Sequence, residues 1–293
     1  MTPERVLHQI AAVLVSLSLA VTAGAQTSAP AKKAAPPPPK SSTAAPPKLQ
    51  IDPKAVEVLK AASDKLAGAM TLSFTAVELF ESPSRQGAPL AYTNKYEVTI
   101  QRPDKLRVIR PGDAQAADFY LDGKSMTAYV PGPNLIAKTD APPNIDAALE
   151  AAYKKAAIYL PFTDLIVANP YGDMASGIRH AYYIGQSHVV GGTTTDMVAY
   201  ADEGVFAELW IGADDKLPRL VRAVFLNDPN RLRHEMAFTD WKLDEPVSEG
   251  TFTPQNAADA KPIPFARPAS QPPNAPKPAK AKPAAKSNPT KAQ

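Results

Sequence analysis

Between Ile51 and Ala260 the apolar positions follow two rhythms. The first is helical. Asp52-Pro53 offers a capping acceptor with proline at the first helical position, and Val56, Leu59, Ala62 and Leu66 then recur on one face until Gly68. Asn144 predicts a second cap, for a helix through Ala147, Leu149, Ala152, Tyr153 and Ala156, and Pro161 to Ile166 predicts a short third. The other rhythm has a period of two. Leu72, Phe74 and Ala76 alternate with Ser73 and Thr75, and Tyr92 to Gln101 alternates without a break. Arg102-Pro103-Asp104-Lys105 turns that strand back into Leu106 to Arg110. Phe119 to Leu121, Ser125 to Val130 and Leu135 to Lys138 form a meander joined by Asp122-Gly123 and Pro131-Gly132-Pro133-Asn134.

After a glycine-containing joint, strands resume at Ala181–Val190, Thr194–Tyr200, Val205–Ile211, Leu217–Leu226 and Leu232–Leu243. About ten strands and three helices in this order predict an α+β domain with one large antiparallel sheet. The late strands are apolar on both faces. Val205, Ala207, Leu209 and Ile211 share one face of their strand, while Phe206 and Trp210 occupy the other. A one-sided antiparallel sheet has a polar outer face, so both faces here call for cover, by helices and ordinary core or by a ligand.

A third apolar pattern lies outside the domain. Ile10 to Val21 follows Met1-Thr2-Pro3-Glu4-Arg5 and leads into Ala23-Gly24-Ala25. A cation, a short apolar core and a small-x-small exit predict a signal peptide, residues 1–25, cleaved after Ala25. The run is shorter than the roughly 20 residues that span a bilayer core. These residues therefore predict a periplasmic protein with no transmembrane span after processing. The chain has no cysteine, so this sequence offers neither a disulfide nor a lipid-anchor thiol.

Composition bounds the domain at 51–260. Residues 26–50 carry seven Pro, four Lys and no acid, and residues 261–293 carry nine Pro, six Lys, one Arg and no acid. Both are expected to be Pro/Ala/Lys-rich disordered segments. The overall charge of +3 conceals a domain of 20 bases and 28 acids between basic tails. The tails read as spacers, or as weak contacts to an envelope lipoprotein, anionic lipid heads or cell-wall polymer, and export argues against a nucleic-acid partner.

Motifs for catalysis are missing from the expected domain. His180 and His188 are eight residues apart, roughly 26 Å along one strand at about 3.3 Å per residue, too far for a shared metal. His234 and Glu235 point to opposite strand faces. Asp202-Glu203 and Asp214-Asp215 read as solvated turn acids, Ser176-Gly177 and Thr193-Thr194-Thr195 as loop residues. Gly191-Gly192 lacks the Lys-Ser/Thr of a phosphate loop, and no Gly-x-Ser-x-Gly elbow occurs. The expectation is a non-enzyme without metal or cofactor.

Four signatures in order carry a resemblance: Gln101-Arg102-Pro103-Asp104-Lys105-Leu106-Arg107, Leu121-Asp122-Gly123-Lys124, Leu209-Trp210-Ile211 with Leu217-Pro218-Arg219, and Phe252-Thr253-Pro254. Over residues 51–265 the chain resembles a family of predicted periplasmic proteins in the superfamily of LolA, LolB and mycobacterial LppX. That resemblance implies an antiparallel half-barrel with helices packed on its concave side around an apolar cavity. It also implies a binder of a lipid, acyl chain or lipoprotein, acting as carrier or envelope sensor. The chain departs from LolB and LppX in lacking the anchor cysteine. Phe74, Tyr96, Val98, Phe119, Tyr129, Phe162, Phe206, Trp210 and Phe238 are the residues expected to line the cavity. As plain core they would leave it filled, and the protein would be an envelope scaffold or interaction protein.

Overall fold

Asp52 and Pro53 start the first helix. In the computed structural model, which describes residues 50–111, 116–175 and 177–267, strand β1 (Gln50–Ile51) runs directly into helix α1 (Pro53–Gly68). Asp52 caps α1 by accepting from Lys54 N at 2.8 Å, and its second oxygen accepts from Tyr183 N at 3.2 Å, which fixes the helix to the sheet. The buried stripe is Ala55, Val58, Leu59, Ala62 and Leu66, so Val58 takes the place expected for Val56.

Six strands follow as consecutive antiparallel neighbours: β2 (Thr71–Ser82), β3 (Leu90–Gln101), β4 (Lys105–Arg110), β5 (Ala117–Asp122), β6 (Ser125–Val130) and β7 (Leu135–Asp140). Helices α2 (Ile145–Ala156), α3 (Thr163–Ile166) and α4 (Pro170–Ala175) come next. Asn144 caps α2 through Ala147 N, as expected, with Ile145, Ala148 and Ala152 buried. Helix α4 occupies what the sequence reads as a loop. The chain then forms β8 (His180–Ser187), β9 (Thr195–Ala201), β10 (Val205–Gly212), β11 (Pro218–Phe225) and β12 (Arg233–Leu243).

All strands join one open, curved sheet in the order β1-β8-β9-β10-β11-β12-β2-β3-β4-β5-β6-β7, closed at the far edge by β13 (Lys261–Ile263). The chain thus returns after β12 to pair with β2, its own beginning. The inner face receives the helices and carries two apolar clusters. One gathers Phe74, Tyr96, Val98, Phe119, Phe162 and Phe238 with α2 and α3; the other packs α1 against β8 to β11. The expected α+β architecture, a curved antiparallel sheet with helices on its concave side, is what the chain adopts.

Two boundaries move. Gln50 and Lys261–Ile263, assigned by composition to the tails, form β1 and β13, the sheet's two parallel pairings, with β8 and β7. Before β13 the chain crosses the outer face, where Phe252 is buried beside β4 and β5. Beyond β13, Phe265 packs on the core, and Arg267 donates to Tyr153 O and Lys154 O at the end of α2. Proline-rich composition marked these residues as unstructured, but pairing on a sheet edge needs few apolar side chains and tolerates proline. The expected signal peptide, residues 26–49 and residues 268–293 lie outside the described residues.

Candidate functional site

The inner face of the late strands is poorly filled at one place. Ala207 on β10 and Ala223 on β11 are direct partners in the ladder, and both point inward between larger neighbours. Opposite them runs the segment from Tyr159 through Pro161 and Phe162 to Leu165. Between lies a slot of about 90 Å³, bounded also by Tyr200, Leu209, Val221, Phe225, Met236 and Phe238. One water needs roughly 10–15 Å³ of such space, whereas pockets for drug-sized ligands run from about 300 Å³. At rest the slot admits several waters or the tip of a chain.

The residues expected to line a cavity separate into three groups. Phe162 and Phe238 do border the slot. Phe74, Tyr96, Val98 and Phe119 are core: each is buried within the larger cluster, and Phe74 meets Phe162, Phe238 and Trp241 at ring separations of 5.6, 5.8 and 4.5 Å. Tyr129, Phe206 and Trp210 face the other way. Tyr129 pairs with Asp118, one residue out of phase with inward Phe119, and its hydroxyl donates to Asn256 O under the C-terminal crossing. Phe206 and Trp210 flank outward Glu208, which holds Arg222 at 2.7 Å. Large side chains on a strand with apolar residues on both faces do not choose the inner face by size. The partners in the ladder decide it.

A polar group that the sequence did not flag lies behind His234, which borders the slot. Strand β2 continues past Ala76, placing Glu78 inward, where it is only 5% exposed. One oxygen, Oε2, accepts from Asn94 Nδ2 and Tyr96 Oη, both at 2.8 Å; the other, Oε1, lies 2.5 Å from His234 Nε2. Burial alone would raise the carboxyl's pKa. Hydrogen bonds from His234, Asn94 and Tyr96, with the charge of His234, outweigh it and hold the group below its ordinary value. Burial foremost, then Glu78, pushes the Tyr96 phenol up. His234 also lines the slot, as does Asp164. The signal available in the sequence was a carboxylate in phase with Leu72, Phe74 and Ala76.

Among the described residues, no group of three or more His, Asp or Glu side chains is placed to hold a metal, and no helix is long and apolar enough to cross a membrane. His188 bonds Thr194 through Nδ1 at 3.1 Å.

The family described as "Predicted periplasmic protein (DUF2092)" matches residues 55–266. The chain belongs to that family. The match takes in both clusters, the slot and β13, which agrees with a folded unit reaching past residue 260. No curated protein matches this DUF2092 chain. Among solved structures it is similar to MucB, at 15% identity and TM-score 0.43, over 70% of this chain; it spans 64% of MucB's length. It is also similar to LprF from Mycobacterium bovis, at 14% identity and TM-score 0.42, covering 67% of this chain and 96% of that one. A LolA superfamily protein from Nitrosomonas europaea matches at 10% identity and TM-score 0.31, covering 68% and 97%.

Proposed function

We propose that this DUF2092 chain is an exported, non-catalytic protein of the periplasm that binds a single apolar chain by its tip in the slot over Ala207 and Ala223. Export rests on the signal-peptide pattern that ends at Ala25, and on the family's description. The observation that carries the binding reading is the facing pair of alanines: side-chain volume is missing where the surrounding inner face is filled by Val205, Leu209, Val221 and Phe225. A lining without partner atoms forgoes dispersion contacts, and an alkyl chain restores them while gaining about 0.8 kcal/mol per buried CH₂. A slot of about 90 Å³ takes only the first few methylenes. A longer chain requires the Tyr159–Leu165 segment to move outward.

Titration of the full chain with dodecyl amphiphiles tests this. Trp241, whose ring centre lies 5.9 Å from that of slot residue Phe238, reports occupancy through its fluorescence. Binding is expected with the natural residues, and at least tenfold weaker binding with Ala223→Leu, which fills the slot while the fold persists. No response to any dodecyl probe sinks the reading.

The small resting volume and the core positions of Phe74, Tyr96, Val98 and Phe119 favour a second reading, a scaffold whose interior is filled. Partners that co-purify through the outer face, with no bound lipid, support it.

A further inference from the structure

The slot is closed at one end and open at the other. Its sheet side is a row of side chains that are direct partners across the ladder: Tyr200 on β9, Ala207 on β10, Ala223 on β11 and His234 on β12. The row does not stop at the slot. His234 pairs with Phe80 on β2, and Phe80 pairs with Tyr92 on β3, in a register that keeps both on the inner face. Tyr200, at 9% exposure, shuts the row at one end, whereas Tyr92, at 48%, leaves it open to solvent. Resting on the proposal that the slot holds the tip of an apolar chain, we infer that the rest of the chain leaves over His234 and lies across the strands along Phe80 and Tyr92.

The rings along the row follow one another without a gap. Phe225, which borders the slot, lies 6.3 Å from the His234 ring; Phe80 meets His234 edge-on at 6.1 Å and stacks on Tyr92 at 5.6 Å. A cross-strand aromatic pair steadies a hairpin, which accounts for the contact between Phe80 and Tyr92. It does not account for the apolar surface left uncovered beside them. Leu90, two positions from Tyr92 on the same face of β3, is 50% exposed. Scattered apolar side chains are ordinary on a surface, whereas apolar surface that runs on from a cavity is what a ligand groove needs.

The size of the slot calls for such a path. Its volume of about 90 Å³ takes only the first few methylenes, and taking more inside displaces the Tyr159–Leu165 segment. The row lets the chain out with that segment in place. From Ala223 to Tyr92 is three strand spacings, about 14 Å at about 4.8 Å each. With C–C bonds of about 1.5 Å at about 111°, an extended alkyl chain advances about 1.25 Å per carbon, so this path takes about eleven carbons. With the few inside the slot, the site suits a single tail of about fifteen carbons.

Alkyl maltosides share one uncharged head, so a series from hexyl through octyl, decyl and dodecyl to tetradecyl, each below its micelle concentration, isolates the tail. Trp241 fluorescence of the full chain is the readout. Affinity should rise about twofold for each CH₂ added beyond octyl, since covering a tail on one side gains about half the free energy of the full burial that brings roughly fourfold. Tyr92→Ser removes the last ring at an exposed position. It should weaken tetradecyl binding at least about fivefold and leave octyl binding within about twofold of the natural protein. Tyr92→Trp keeps a ring there and reports directly: its added emission should shift to the blue with tetradecyl and not with hexyl. Affinities that level off at octyl mean that the tail hangs in water; they overturn the path and leave the slot intact. A gain with length that survives Tyr92→Ser sends the tail under a displaced Tyr159–Leu165 segment and overturns the path too. If Tyr92→Ser does not fold, Tyr92→Trp decides, and emission that ignores tetradecyl overturns the path. Absence of binding by every probe removes the slot reading, and this inference with it.

Discussion

At the scale of single residues, the turn motifs do more than reverse the chain. The Arg102 guanidinium donates to Leu66 O at 3.4 Å and Val167 O at 3.3 Å, tying the ends of α1 and α3 to the β3–β4 turn. Gly123 has φ +85°, and a Cβ there would come within 2.6 Å of Asp104 Oδ2. The Arg-Pro-Asp-Lys and Asp-Gly-Lys turns, far apart in sequence, therefore touch, and only glycine fits both the conformation and the contact. Glu78 is the residue whose environment makes a pH prediction. Its folded pKa is depressed, so its contribution is present above the unfolded value of about 4.3 and is lost as pH falls through the folded one. Glu78→Gln should lower stability at neutral pH by about 1–3 kcal/mol. In thermal melts across pH, the gap between variant and natural protein should close below about pH 4. A gap independent of pH would separate Glu78's role from its charge.

At the scale of elements, helix starts and strand phases were legible where one physical cue dominates. Asp52-Pro53 and Asn144 cap the helices they predict, and the unbroken alternation of Tyr92 to Gln101 is β3. The late strands were harder because both faces carry large apolar residues, so their periodicity alone could not tell inside from outside. Glu208 held the answer: a charge between Phe206 and Trp210 marks their shared face as the solvent side, where it pairs with Arg222. The slot was less legible still, since Ala207 and Ala223 lie sixteen positions apart and meet only through the β10–β11 register. This division yields a contrast. Phe162, 1% exposed and packed edge-on to Phe74 and Tyr96, should cost about 3–5 kcal/mol when changed to Ala. Trp210→Ser should cost about 1 kcal/mol or less. Urea denaturation of both variants measures this, and equal losses would place Trp210 in the core.

At the scale of the whole molecule, the sheet is covered unevenly. Helices pack on the inner face, and the C-terminal crossing with Phe252 and Tyr129 covers the outer face of the middle strands. On the outer face of β2 and β8, Val77, Leu79, Tyr182 and Ile184 remain between 39% and 47% exposed. The sheet's two edges have a mechanical consequence. The chain enters the fold at β1 and leaves it at β13, the opposite margins of a thirteen-stranded sheet, and each margin is a parallel pairing of two or three residues. A load applied between residues 50 and 263 pulls across the strands, so edge bonds break in succession, as in a zipper, rather than sharing the force. In optical-tweezer extension the first events should be small, low-force releases of β13 and β1, ahead of rupture of the β2–β12 seam. A single high-force rupture would mean that Phe265 and Arg267, anchored on the core and α2, carry the load past the edge.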